Sequence, residues 1–199
     1  MPRGVAIPEV RQQLFAAVER VIAREGPGKL SGRAVTGEAG VATGLLYAHF
    51  ADLDDFLAGY AVDRAFLVSA AAATLPDRAG TGSVAGNLCE AVLGTPPATI
   101  RTLLRLLISR PELAERVRTV LGAQTAGLDA IEEAAASYLA AEQRLGRVAA
   151  AVQPAALALA VVGVLHHVVL GSAAEADVHT RVRRAITALV EPVTTAAPR

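Results

Sequence analysis

Tryptophan is absent from the 199 residues, cysteine and methionine each occur once, and aromatic side chains make up only 4%. A lone Cys89 excludes a disulfide within the chain and any cysteine-based zinc cluster, which fits a reducing cytoplasm. Lys29 is the only lysine beside eighteen arginines, a compositional bias without mechanistic weight. An excess of one charge is missing too, since 19 basic residues balance 19 acidic ones. Bulk positive charge therefore cannot be the source of any affinity for nucleic acid. The first residues lack the apolar core of a signal peptide. The longest apolar run, Pro154–Gly171, is interrupted by His166 and His167 and falls short of the ~20 residues of a membrane span. A cytoplasmic protein with no membrane partner is expected.

No stretch alternates with period two long enough to form a strand, and no repeat recurs at fixed period. There is no phosphate-binding loop, no metal-ligand cluster and no nucleophile paired with a base at motif spacing. His166 and His167 lie ~100° apart on a helix and do not converge on one ion. No enzyme, cofactor or metal site is expected, and Cys89 reads as a small core residue.

What is abundant is alanine, leucine and valine, within a hydrophobic fraction of 53%. That fraction excludes intrinsic disorder, and the alanine and leucine favour helix. An all-α fold is predicted. Helical periodicity runs from Val10 to Ile22 and stops at Gly26-Pro27-Gly28. Short helices follow at about Ser31–Ala39, with Ser31 as N-cap, and Thr43–His49. Asp52 can cap a fourth helix to about Thr74. Further helices are expected over Ser83–Leu93, Pro97–Ser109, Pro111–Leu145, Pro154–Leu170 and Asp177–Val190, with prolines 97, 111 and 154 at tolerated first-turn positions.

The segment Ser31 to Phe50 carries the functional reading. Two short helices flank a glycine turn, and Val35, Ala39, Val41, Leu46 and Phe50 can share a small core. This is helix-turn-helix geometry, whose second helix can enter a DNA major groove while the first braces it. Residues 43, 44, 45, 47, 48 and 49 then point outward.

Here the sequence resembles the tetracycline-repressor (TetR) family of bacterial transcription regulators. The resemblance rests on the Ala39-Gly40-Val41 turn, the Gly44-Leu45-Leu46-Tyr47-Ala48-His49-Phe50 helix, the helix after it, and the preceding Leu14-Phe15-Ala16-Ala17 and Glu25-Gly26. It covers about residues 10–60. It implies a helix-turn-helix DNA-binding domain over residues 1–52, joined through helix 53–75 to a helical effector-binding and dimerisation domain over 53–199. The implied function is a ligand-responsive repressor that binds a palindromic double-stranded DNA operator as a homodimer. By position, Arg33 and Thr43 would approach base edges, Gly44 would admit close backbone approach, and Leu45 would meet bases. Tyr47 and His49 would contact phosphate or sugar, and Lys29 would add a phosphate contact. Arg33 is the strongest specificity candidate, because a guanidinium bonds guanine bidentately.

The resemblance also implies a small effector held among the middle helices. Candidates are Phe66, Leu88, Leu103, Leu107, Leu121 and Leu128, with Asn87, Gln124, Thr125 and His166 as polar partners, a mix suited to a mainly apolar ligand. Pro154–Leu170 is apolar on nearly every face and the last helix on one, so a dimer interface is expected there. Its candidate residues are Leu157, Val161, Val164, Leu165, Val168, Val182, Ile186 and Leu189.

Residues 1–60 carry six arginines and lysines against seven carboxylates. Since phosphate neutralisation supplies most non-specific affinity, modest and salt-sensitive operator binding is expected. A regulator-like small-molecule binder that has lost DNA binding remains open at this point.

Overall fold

Proline and glycine punctuate the helices of the computed structural model, which describes residues 7–122, 126–172 and 174–194. The described residues form ten α-helices: α1 (Ile7–Glu25), α2 (Gly32–Ala39), α3 (Thr43–His49), α4 (Leu53–Ala72), α5 (Val84–Val92), α6 (Pro97–Ser109), α7 (Pro111–Leu121), α8 (Gly127–Arg144), α9 (Pro154–Gly171) and α10 (Glu175–Val190). The predicted all-α class and most helix bounds hold to within two or three residues. The single helix expected over Pro111–Leu145 is instead two. Gly122 and Gly127 take φ of 88° and 60°, backbone angles that follow the end of one helix and open the next. Residues 123–125 between them, including the effector candidates Gln124 and Thr125, lie outside the described residues.

The chain divides into two compact units. The first takes in the chain up to Asp63 together with Thr102–Val117; the second comprises Arg64–Arg101 and the chain from Arg118 onward. In the first, Leu14, Val18, Val21, Ile22, Val35, Leu46 and Leu57 are buried almost completely. At one end of this core Phe15, Phe50, Phe56 and Tyr60 form an aromatic cluster, with ring centroids 5.0–6.4 Å apart. Such tilted and edge-on pairs add to the area term. Few as they are, most of the chain's aromatics are spent on anchoring α1 to the turn after α3 and the start of α4.

In the second unit α8 packs on α9, α9 on α10, and α10 on α5. Their seams are aliphatic: Ile131, Leu139, Val161, Leu165, Val169, Val178, Val182, Ile186 and Val190 are all at most 1% exposed. A polar network crosses this core. Asn87 Nδ2 donates to Thr81 O at 2.8 Å and to the Tyr138 hydroxyl at 3.0 Å. Glu142, wholly buried, accepts from the Gly80 N–H at 3.3 Å and lies 3.4 Å from Arg147 Nε. Burial, and next the hydrogen bond to Glu142, push the Tyr138 phenol far above its ordinary value. It therefore stays neutral and acts as a hydrogen-bonding strut. Cys89 is buried and its thiol is likewise pushed up by burial, which makes it an inert core residue.

Contrary to the expectation from its length, Pro154–Gly171 is, like Leu53–Arg78, long and apolar enough to cross a membrane by length and composition. In this fold α9 spends one side on α8 and α10, with Ala158, Val161, Leu165 and Val169 inside the core.

Candidate nucleic-acid interface and effector pocket

The helix-turn-helix is built from local rules. Ser31 caps α2 by accepting the Ala34 N–H at 3.1 Å. Gly40 ends α2 at φ 70°, where its N–H and that of Val41 satisfy the Gly37 and Thr36 carbonyls. That is the left-handed C-terminal stop which glycine makes without strain. Gln13 of α1 donates to Ala39 O at 2.8 Å and fixes the turn from below. Ala42 occupies the N-cap of α3 without a side-chain bond. Thr36 ties α2 to the start of α3 instead: its hydroxyl donates to Gly32 O at 2.8 Å, and the Thr43 hydroxyl meets it at 3.2 Å.

Only Leu46 of α3 is fully buried; Thr43, Gly44, Tyr47, Ala48 and His49 are exposed and Leu45 is half-buried. One helix face is therefore held by the core while the opposite face is offered to solvent. Arg33, in the first turn of α2, and Lys29, just before it, are exposed and carry no ion pair among the described residues. Tyr47 lies back over α2, 50% exposed, with its hydroxyl 2.6 Å from where a Cβ at Gly32 would stand. Arg33, Thr43, Gly44, Tyr47 and His49 are thus all exposed on α2 and α3. The Thr43 hydroxyl is engaged with Thr36, which leaves its methyl group and remaining lone pairs open to solvent.

Charge in this unit is sorted by pairing. Arg20 and Arg24 both bind Glu38, at 2.6 and 2.7 Å, and hydrogen bonds from Arg24 and then Arg20 hold the Glu38 carboxyl below the usual carboxylate range. Arg110 pairs with Asp54. Asp52 accepts the Asp55 N–H at 2.8 Å while Asp55 accepts the Ala51 N–H at 3.1 Å. This reciprocal cap places the acidic start of α4 at a helix N-terminus, where negative charge is stabilising. The net acidity counted from the sequence is accordingly largely structural, and among the described residues Arg33 and Lys29 beside α2 are cations without an ion pair.

The second unit holds a groove enclosing about 700 Å³, within the range of small-molecule sites. One wall is the stripe Phe66, Ser69, Ala70, Ala73 of α4 and the turn after it; the other is Ala130, Glu133, Ala134, Ser137 of α8, both at helical i, i+3, i+4, i+7 spacing. Pro76, Val120 and Leu121 complete it. Of the effector candidates, Phe66 and Leu121 line this groove. Leu88 is wholly buried, and the Asn87 amide is committed to Thr81 and Tyr138. Leu103 and Leu107 belong to the first unit, Leu128 is half-buried outside the lining, and His166 is exposed on α9. The missed residues left a faint signal, paired stripes of small residues on two helices, which periodicity alone reads as core.

A second groove, of about 660 Å³, lies between α9 and α10 and is lined by Ala160, Gly163, Val164, His167, Arg181 and Arg184, among others. Here the predicted interface needs correction. Val161, Leu165, Val182 and Ile186 are 0% exposed and Val168 is 5% exposed, because they seal α9 to α10 and the core within one chain. Val161, Leu165, Val182 and Ile186 have no surface left for a partner, while Val168 keeps a little where it lines the groove. Val164 and Leu157 are half-buried and Leu189 is 38% exposed, so these keep surface, and Leu159, 58% exposed, adds to them.

No protein-family model and no curated protein matches the sequence. The structure does find likenesses over nearly the whole chain. One is the TetR-family transcriptional regulator PfmR from Thermus thermophilus, at 16% identity and a TM-score of 0.68, covering 94% of this chain and 99% of that one. Another is a Saccharomonospora viridis protein solved in complex with choline, at 14% identity and 0.70, covering 95% and 100%. A third is SmeT, the repressor of the Stenotrophomonas maltophilia multidrug efflux pump SmeDEF, at 16% and 0.58, covering 94% and 91%. These define the class: an all-α fold with an N-terminal helix-turn-helix and a helical remainder. The fold is that of the TetR-family transcriptional regulators.

Proposed function

We propose that the chain is a TetR-family transcriptional regulator, a ligand-responsive repressor that binds a palindromic DNA operator as a homodimer in the cytoplasm. The observation that carries this reading is the α2–turn–α3 surface. Leu46 fastens α3 to the core while Thr43, Gly44, Tyr47 and His49 stand exposed beside the unpaired Arg33 and Lys29. A helix seated this way can enter a major groove, with Arg33 reading a base and Lys29 and Tyr47 set on phosphate.

Homodimerisation would use the outer face of α9 and α10, where Leu159, Ala160, Gly163 and Ala188 leave a shallow surface of small and apolar residues. A two-fold axis there would supply the symmetry a palindrome requires. The effector site is the groove between α4 and α8, whose occupancy would change operator affinity.

The test is a gel-shift titration of parent and an Arg33→Ala, Tyr47→Phe double variant against the DNA flanking the protein's own gene. A regulator loses specific retardation in the variant while both proteins remain folded. The rival reading, a small-molecule binder without DNA binding, is favoured by the seven carboxylates of the head; it predicts no retardation by either protein.

A further inference from the structure

From the chemistry of the α4–α8 groove we infer the class of its ligand: an apolar molecule carrying one positive charge, such as an alkylamine or an alkyl quaternary ammonium. This rests on reading the groove as the effector site. The groove offers extended apolar contact from Phe66, Ala70, Ala73, Val120, Leu121 and Ala134. Among the described lining residues only three side chains have polar ends. The Ser69 hydroxyl is already committed, donating to Ala65 O at 2.8 Å and accepting the Gly127 N–H at 3.0 Å. That leaves Ser137 and Glu133.

Glu133 decides the sign. It is exposed, has no ion pair among the described residues, and shares the α8 stripe with Ala130, Ala134 and Ser137. Among the described lining residues there is no arginine, lysine, histidine, asparagine or glutamine. A ligand carboxylate or phosphate would find one hydroxyl donor and a repelling carboxylate. A ligand cation would find that carboxylate as counter-ion, with the Phe66 ring, 58% exposed, as a further surface on which a cationic head can rest. The aliphatic remainder of the ligand would lie along the alanine stripes, gaining with each methylene removed from water. Fatty acids and acyl phosphates share the apolar part and fail on the head group.

The experiment is isothermal titration calorimetry on the full chain with decyltrimethylammonium, decanol and decanoate, each below its micellar concentration, on the parent, Glu133→Gln and Ala70→Phe. Expected are tighter binding of the cation than of decanoate by at least about tenfold, and a cation affinity lowered about three- to fivefold in Glu133→Gln with decanol unchanged, the scale of one partly solvated ion pair. Ala70→Phe, which fills the groove from an exposed position, should abolish binding of the cation. Equal or tighter binding of decanoate, or a Glu133→Gln variant that keeps the parent's preference, overturns the cationic class while leaving the groove as a site. Failure of all three probes to bind the parent, or binding that survives unchanged in Ala70→Phe, overturns the effector reading of the groove itself.

Discussion

The Tyr47 hydroxyl rests on Gly32, 2.6 Å from the point where any other residue would place its Cβ. A tyrosine on the exposed helix is thereby laid against the first turn of α2, next to Arg33, and the two helices present one continuous surface. Gly32→Ala must move Tyr47, because the two atoms cannot coexist at that separation. Alanine is otherwise a good helix residue at this position. The expected outcome is a thermal midpoint within a few degrees of the parent and an operator affinity reduced about tenfold. Circular dichroism melts and a binding titration read the two separately. If Tyr47 contributes only packing, Gly32→Ala should lower the midpoint and leave affinity unchanged.

Arg33 and Lys29 should separate specificity from attraction. Arg33→Ala should cost about 1–3 kcal/mol of specific binding and relax the preference at one base pair of each half-site. Lys29→Ala should weaken specific and random DNA alike and reduce the salt slope by about one. Fluorescence anisotropy on operator and scrambled duplexes across a salt series distinguishes them.

Much of this surface was legible in the sequence because it is local. A capping serine, a left-handed glycine and a single buried leucine specify the helix-turn-helix within twenty residues, whatever the rest of the chain does. The groove was not legible, because alanines 70, 73, 130 and 134 obey the same helical period whether they face a core or a ligand. Only the fold shows that Leu88 is sealed inside while Phe66 is open. Several interface candidates fell on core positions for a related reason. A helix apolar all round, such as α9, needs partners, and composition does not say which side of it α8 and α10 of the same chain take. The break between α7 and α8 was hidden by alanine and leucine, whose propensity outweighs Gly122 and Gly127 in any window sum.

Glu38 links α1 to α2 through Arg24 and Arg20, and its carboxyl is held below the ordinary value of 4.5 mainly by those hydrogen bonds. A depressed folded value means that the clamp contributes stability above the unfolded pKa and loses it as pH falls through the folded one. Glu38→Gln should therefore melt below the parent at pH 7, with the gap closing as the pH drops below about 4.5. Melting curves at pH 7, 5 and 3 check this. A gap that widens in acid would refute the assignment.

The Asn87 amide holds both Thr81 O and the Tyr138 hydroxyl inside the second unit. Asn87→Ala takes this donor from the buried Tyr138 hydroxyl and the Thr81 carbonyl and should cost about 1–3 kcal/mol in urea denaturation. Because the groove does not use Asn87, ligand affinity per folded molecule should be unaffected.

Recognition of DNA with two-fold symmetry by the exposed face of α2 and α3 is tested most directly by footprinting on the DNA flanking the protein's own gene at low salt. Two protected half-sites are predicted, related by a dyad and about one helical turn or a multiple apart. Their protection should be lost as salt is raised and be absent for the Arg33→Ala, Tyr47→Phe variant. A folded parent that protects no segment at low salt, or one whose protection survives in that variant, would contradict this reading of the surface.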